Sequence, residues 1–151
     1  MSSKLLLRLA AFTMFVYYIL HFTSIPNKGM VNDTLPDSLS TPMTQLKINY
    51  IGRDTDFQIF YESNIYAFSM ALALVFILLW MLSDLTEKYK IIAARLLIPF
   101  IFFLILLGGE ELLYGHSFAG ALSLISALLT GIAFFKMRGL SIKINLIPDE
   151  D

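Results

Sequence analysis

The chain has 151 residues, of which 57% are hydrophobic and 15% charged, and its formal net charge is −1. Its mean hydropathy of +0.71 lies well above that of an ordinary soluble domain of this size. The absence of cysteine excludes disulfides, thiolate metal sites and thiol nucleophiles.

Four long apolar segments predict an all-α fold, a bundle of four transmembrane helices that forms a single integral membrane domain. The predicted spans cover residues 5–23, 63–83, 91–108 and 112–135. Each approaches or exceeds the roughly 20 residues that a helix needs to cross a bilayer core. An outer loop of about 40 residues joins the first two predicted spans and is longer than most connections.

The first span allows two interpretations. Lys4 and Arg8, followed by an apolar core, also suit a cleaved signal peptide. The segment after the core, residues 21–26, lacks an alanine-type cleavage site, and the core itself is rich in aromatic side chains. These two features favour a retained transmembrane helix.

The loop after the first span changes character along its length. Its first half carries three prolines and reads as irregular surface chain. Its second half, residues 43–61, mixes aromatic and aliphatic side chains with isolated charges. This composition predicts a segment that lies on the membrane surface or caps one end of the bundle.

The third span contains Pro99, which removes one backbone hydrogen bond and predicts a kink. Gly108 and Gly109 predict the end of this helix. Glu110 and Glu111 are then expected in a short outer turn.

The fourth span carries a small residue at every fourth position. Such spacing predicts close helix packing, either inside the bundle or at an interface with a second copy or a partner subunit. The residues of this predicted stripe are Gly115, Ala119, Ser123, Ala127 and Gly131.

The basic residues predict the orientation in the membrane. With a cytoplasmic N-terminus, eight lysines and arginines lie inside and three, Lys28, Lys47 and Arg53, lie outside. An excess of Lys and Arg on the cytoplasmic side is typical of membrane proteins. The pattern therefore predicts both termini in the cytoplasm.

Most of the residues that could do chemistry fall near the outer ends of the predicted spans. We expect them to form a polar mouth that binds the head group of an amphiphile, a metal site, a proton-transfer pair, or simply a solvated boundary. Histidine beside a carboxylate would favour anionic or hydrogen-bonding head groups at mildly acidic pH. The predicted mouth residues are His21, Asp56, Tyr61, Glu110, Glu111 and His116.

Several short segments carry a resemblance. Residues 5–11 (Leu-Leu-Leu-Arg-Leu-Ala-Ala), His21 and residues 56–61 (Asp-Phe-Gln-Ile-Phe-Tyr) resemble a family of small bacterial four-helix membrane proteins that has no settled activity. The architecture is similar to that of the DoxX-like group. Glu62 to Asn64 stand where the family pattern has glycine. The resemblance implies a fold, a topology and a place in a bacterial inner membrane, and it implies no mechanism.

Three functions remain open at the level of sequence. The first is a non-enzymatic membrane protein that binds a lipid-like amphiphile or serves as a small membrane subunit, with no cofactor, metal or nucleic acid. The second is a membrane-embedded enzyme acting on a lipid or isoprenoid through the histidines and glutamates of the predicted mouth. The third is a transporter or channel component, which the absence of mid-membrane charge disfavours.

Overall fold

The computed structural model describes residues 1–24, 46–50 and 52–144. This part of the chain is mostly helical and contains four helices and one β-hairpin. The elements are α1 (Ser3–Ser24), β1 (Lys47–Tyr50), β2 (Arg53–Asp56), α2 (Phe57–Lys88), α3 (Lys90–Leu113) and α4 (Ser117–Ile144). The proline-rich half of the predicted outer loop lies outside the described residues.

All four helices are long and apolar enough to cross a membrane, which confirms that part of the sequence prediction. Many of their large apolar side chains are exposed. In each helix, no more than 33% of the most apolar 18-residue window is buried. Large side chains such as Phe102, Leu128 and Phe135 are more than 60% exposed.

The chain divides into two compact units. Unit 1 comprises residues 1–17 and 72–151, and unit 2 comprises residues 18–71. Unit 1 therefore contains most of α1, the second half of α2, and the whole of α3 and α4. Its fully buried side chains include Leu7, Met14, Leu72, Leu79, Leu97, Leu104 and Met137.

In unit 1, α1 and α2 run antiparallel and are joined by ion pairs at one end. Lys4 Nζ lies 3.5 Å from Asp84 Oδ1 and 3.2 Å from Glu87 Oε1. The Arg8 guanidinium group donates to Asp84 Oδ1 at 3.2 Å and stacks over the Trp80 ring. We call this end of unit 1 the Asp84 end. Arg8 thus has a protein carboxylate as its partner, because the last turn of α2 reaches its level.

Helix α1 also contacts α4. The buried Ser126 hydroxyl group donates to the Ala10 carbonyl oxygen at 3.1 Å, and Lys136 Nζ donates to the Met1 carbonyl oxygen. A serine that reaches a carbonyl oxygen on another helix needs the two backbones to lie close together. Ala10 itself is fully buried, so no larger side chain separates the helices at this point.

Helices α3 and α4 form an antiparallel hairpin whose closest contact involves two glycines. A Cβ atom added to Gly108 would lie 2.7 Å from Leu124 Cγ, and one added to Gly120 would lie 2.8 Å from Leu112 Cγ and 3.0 Å from the Gly108 carbonyl oxygen. Real Cβ contacts are almost never so short. Glycine is therefore needed at both positions for this approach.

The prediction that α3 ends at Gly108 and Gly109 was wrong. The helix continues through Glu110 and Glu111 to Leu113. Tyr114 is the C-cap, and Gly115 follows it with a φ of +84°, the left-handed conformation typical of the residue after a helix C-cap. Gly108 serves the contact with α4 instead of stopping the helix.

The buried face of α4 differs in angle from the predicted stripe. Ser123 and Ala127 are buried, Ala119 and Gly131 are half-buried, and Gly115 lies in the turn before the helix. A spacing of four residues advances by about 40° per step around a helix of 3.6 residues per turn, so it drifts off one face. The observed buried face instead consists of Gly120, Ser123, Ser126, Ala127, Thr130, Ala133 and Met137.

Helices α2 and α3 are separated by one residue, Tyr89, with φ −129° and ψ 54°. Its backbone N–H group donates to the Leu85 carbonyl oxygen, and its own carbonyl oxygen accepts from Ala93 N–H, both at 2.9 Å. The helical hydrogen bonds on the two sides thus meet at one non-helical residue. The two helices are therefore connected by a single residue and not by a longer loop.

In unit 2, the described part of the loop after α1 ends in a hairpin. Strands β1 and β2 are antiparallel, with Lys47 opposite Asp56 and Asn49 opposite Asp54. Gly52 at the turn has φ +75°, a conformation that suits glycine. The Phe57 N–H group donates to the Leu46 carbonyl oxygen at 2.9 Å, which ties the hairpin to the start of α2.

Candidate functional site

The main polar contact at the other end of unit 1 joins α1 to α3. The hydroxyl group of Tyr17 donates a hydrogen bond to Glu111 Oε1. Tyr17 is 3% exposed, while Glu111 is half-buried. A buried tyrosine needs a partner for its hydroxyl group, and a half-buried carboxylate needs donors for its oxygens. We call this the Glu111 end of unit 1.

The sequence around Glu111 explains how it reaches this position. Because α3 continues past Gly108, both glutamates lie in its last turn and not in a flexible loop. Side chains at successive helical positions point about 100° apart. Glu111 therefore faces α1, while Glu110 is exposed.

His116 follows in the turn between α3 and α4. Its backbone N–H group donates to the Glu111 carbonyl oxygen at 2.8 Å, and its carbonyl oxygen accepts from Gly120 N–H at 2.9 Å. The residue is exposed, immediately before the start of α4. Of the predicted mouth residues, Glu110, Glu111 and His116 thus lie within one helical turn and the turn that follows it.

The remaining mouth residues belong to unit 2, beginning with His21. Its Nδ1 atom lies 2.9 Å from Ser69 Oγ, and its ring packs edge-on against Phe68 with centroids 4.9 Å apart. The Ser69 hydroxyl group donates to the Ile65 carbonyl oxygen at 3.0 Å. Since that bond uses its hydrogen, Ser69 Oγ accepts from Nδ1 of His21. This histidine joins α1 to α2.

Asp56 and Tyr61 lie on either side of the start of α2. Asp56 is the last residue of β2 and sits opposite Lys47 in the hairpin. Tyr61 is 53% exposed on the first turns of α2. Neighbouring aromatic rings, Tyr50 and Phe60, contact edge-on at 4.9 Å between centroids. Within unit 2, these residues belong to the hairpin and its junction with α2.

A metal site requires several suitable side chains grouped at one place. Within the described residues, no three or more His, Asp or Glu side chains are grouped so that they could hold a metal ion. The chemistry available at the Glu111 end is that of carboxylate oxygens, which accept hydrogen bonds and attract cations.

Tyr17 is the residue of this site that sequence reasoning missed. It is one of several aromatic side chains in the first span, and nothing in its spacing distinguishes it from Tyr18. One feature of the sequence could have indicated a role for Tyr17. A tyrosine on the buried face of a helix that approaches the membrane boundary must find a hydrogen-bond partner there.

The hydrogen bond between Tyr17 and Glu111 is thus a polar contact at one end of an apolar helical unit. Comparison with known proteins adds no assignment, since no protein-family model, curated protein or solved structure matches this chain.

Proposed function

We propose that the chain is an integral membrane protein that crosses a bacterial inner membrane four times, with both termini in the cytoplasm. We further propose that it catalyses no reaction and binds the head group of a membrane amphiphile at the Glu111 end. The observation that carries this proposal is the hydrogen bond from buried Tyr17 to Glu111.

The exposed surface of the helices supports the membrane part of the proposal. Soluble proteins rarely expose contiguous apolar patches beyond a few hundred Å². Here every helix presents large apolar side chains outward, including Phe12, Leu74, Phe102 and Leu128. Lipid chains are the solvent that such a surface fits, because they leave no apolar group exposed to water.

The geometry at Glu111 supports the binding part. Tyr17 occupies one carboxylate oxygen of Glu111 and fixes its orientation, which leaves the second oxygen as an acceptor. Glu110, the preceding residue, adds an exposed negative charge. With the topology above, both carboxylates lie at the outer boundary of the membrane. A head group that donates hydrogen bonds and carries positive charge is the complement of this site.

The test uses two lipids that differ in hydrogen-bond donors. Phosphatidylethanolamine carries an ammonium group with N–H donors, whereas phosphatidylcholine carries a trimethylammonium group with none. We expect purified full-length protein in detergent to bind phosphatidylethanolamine several-fold more tightly, as measured by native mass spectrometry. A charge-assisted hydrogen bond contributes about 1.5–3 kcal/mol, which is enough for such a preference.

Glu111→Gln should weaken the preference, because a neutral amide oxygen accepts a hydrogen bond from the ammonium group less strongly than a carboxylate does. Asp54→Asn is the matched control: it makes the same carboxylate-to-amide change on the exposed hairpin of unit 2 and should leave the preference intact. Equal binding of the two lipids by the unmodified protein would refute the binding proposal. Recovery of the protein in the soluble fraction of cells would refute the membrane proposal.

A further inference from the structure

A second surface, at the opposite end of unit 1, carries basic residues that the ion pairs there do not use. The carboxylates of Asp84 and Glu87 contact Lys4 and Arg8. Lys88, Lys90 and Arg95 lie at the same end of the chain's helices and are all exposed. Among the described residues, these three basic side chains take part in none of the ion pairs at the Asp84 end.

Arg95 stands on the outward face of α3 in an apolar setting. Residues at i, i+4, i+7 and i+11 share one side of a helix, and here they are Ile91, Arg95, Ile98 and Phe102. The three apolar members are 57%, 54% and 66% exposed, so this side of α3 is unpartnered within unit 1. The opposite side, with Ala93, Ala94 and Leu97, is buried.

The Arg95 side chain is directed toward the end of unit 1 that carries Lys88 and Lys90. Lys90 lies about 140° around the helix from Arg95, so it adds positive charge at the same boundary and not on the same face. The Cα–Cβ bond of a helical residue tilts toward the N-terminus of its helix. In α3 that direction leads back to Lys90 and the end of α2 at Lys88. Arg95 is five residues beyond Lys90, or about 7.5 Å along the helix axis, and a long side chain covers this distance by extending toward the membrane boundary.

We propose that Arg95 binds the phosphate group of an anionic phospholipid whose acyl chains lie along Ile91, Ile98 and Phe102, and that Lys88 and Lys90 add positive charge at the same end of unit 1. Charge complementarity selects the head group, and the apolar stripe beyond Arg95 selects a lipid over a soluble anion. The proposal rests on the membrane placement proposed above. It is independent of the Glu111 end, which uses other residues and the opposite charge.

The experiment measures lipid binding by the purified full-length protein in a neutral detergent. Native mass spectrometry gives the affinity for phosphatidylglycerol, for phosphatidylcholine and for inorganic phosphate as separate arms. We expect phosphatidylglycerol to bind best. Arg95→Gln should weaken its binding about five-fold, since one basic residue near a membrane surface contributes roughly 1 kcal/mol.

Arg53→Gln provides the matched control. It removes the same charge from an exposed arginine in β2, and phosphatidylglycerol binding should be unchanged. Arg95→Lys keeps the charge and should retain most of the affinity. If Arg95→Gln fails to fold, Lys88→Gln replaces it, with the same expectation of weaker binding.

Three outcomes would overturn the proposal. Equal weakening by Arg53→Gln and Arg95→Gln means that net charge, and not this surface, attracts the lipid. Displacement of phosphatidylglycerol by millimolar inorganic phosphate means that the site takes a soluble anion. Equal affinity for phosphatidylcholine means that the head-group charge is not recognised. Each of these can occur in a protein that is firmly embedded in the membrane, so the result is separate from the test of membrane placement.

Discussion

Tyr17 shows how one hydroxyl group can fix the end of a helix. Its ring is buried, and its hydroxyl group donates to Glu111 on a helix that begins 73 residues later, at Lys90. In an apolar environment, a hydrogen bond to a charged acceptor is stronger than it is in water. The hydrogen bond therefore stabilises the packing of α1 against α3, and it also orients the Glu111 carboxylate for any ligand that binds there.

Replacing Tyr17 with Phe should destabilise the protein by about 1.5–3 kcal/mol, because the Glu111 carboxylate loses its donor while the ring volume is kept. Thermal unfolding in detergent measures the effect. Tyr114→Phe removes the same atom from a side chain that is 75% exposed in the turn after α3 and should change the unfolding temperature little. Equal effects of the two substitutions would contradict a stabilising role for the Tyr17 hydroxyl group.

The position of Glu111 could be predicted from the sequence only in part. The apolar runs on both sides placed it near a helix end, which is correct. The pair Gly108–Gly109 predicts a helix end because glycine commonly follows a helix. Whether a glycine ends a helix or lets a second helix approach depends on the partner, here Gly120 of α4, and a single sequence does not show which residues meet.

At the scale of elements, the α3–α4 hairpin depends on that glycine contact. Gly108 and Gly109 are adjacent helical glycines with opposite surroundings. A Cβ atom at Gly108 would meet Leu124 and the Gly120 carbonyl oxygen, whereas one at Gly109 would meet nothing within 4 Å. The two positions form a natural matched pair.

Gly108→Ala and Gly120→Ala should each destabilise the protein by about 1–3 kcal/mol, the usual cost of overpacking a close contact. Gly109→Ala should be neutral or stabilising by up to about 1 kcal/mol, since alanine favours the helix over glycine. Thermal unfolding of the three variants in the same detergent gives the comparison. The contact is unimportant if Gly108→Ala and Gly109→Ala shift the unfolding temperature equally.

The other elements differ in how well they can be predicted from the sequence. The four helices follow from runs of apolar residues, and the prediction of four helices long enough to cross a membrane is confirmed. The hairpin of β1 and β2 was not predicted, because Lys47–Tyr50 and Arg53–Asp56 carry charges and do not alternate clearly. The hairpin is defined by backbone pairing and by the turn at Gly52. Neither feature produces a distinctive amino-acid composition.

For the whole molecule, the basic residues and the apolar helical surfaces lead to one testable topology. The chain contains no cysteine, so single cysteines can be added to an otherwise unreactive background. Ser2→Cys marks the N-terminus. Thr41→Cys marks the predicted outer loop, in a stretch outside the described residues.

In intact cells, an impermeant thiol reagent should label the Thr41→Cys protein and leave the Ser2→Cys protein unlabelled, because positively charged segments are retained in the cytoplasm. Both variants should react after the cells are permeabilised, which controls for accessibility. Labelling of Ser2→Cys alone would reverse the orientation and move the Glu111 end to the cytoplasmic side.

The ion pairs at the Asp84 end also set an order of assembly. Arg8 and Asp84 are 76 residues apart in the chain. Helix α1 ends at Ser24, 60 residues before Asp84. During synthesis at roughly 5–20 residues per second, α1 is therefore complete for about 3–12 s before Asp84 exists. The first helix must therefore wait with Lys4 and Arg8 unpaired, and the arrival of the last turn of α2 is the event that neutralises them. A truncated chain that stops before Asp84 should accordingly assemble poorly and be degraded by proteases more readily than the full-length chain.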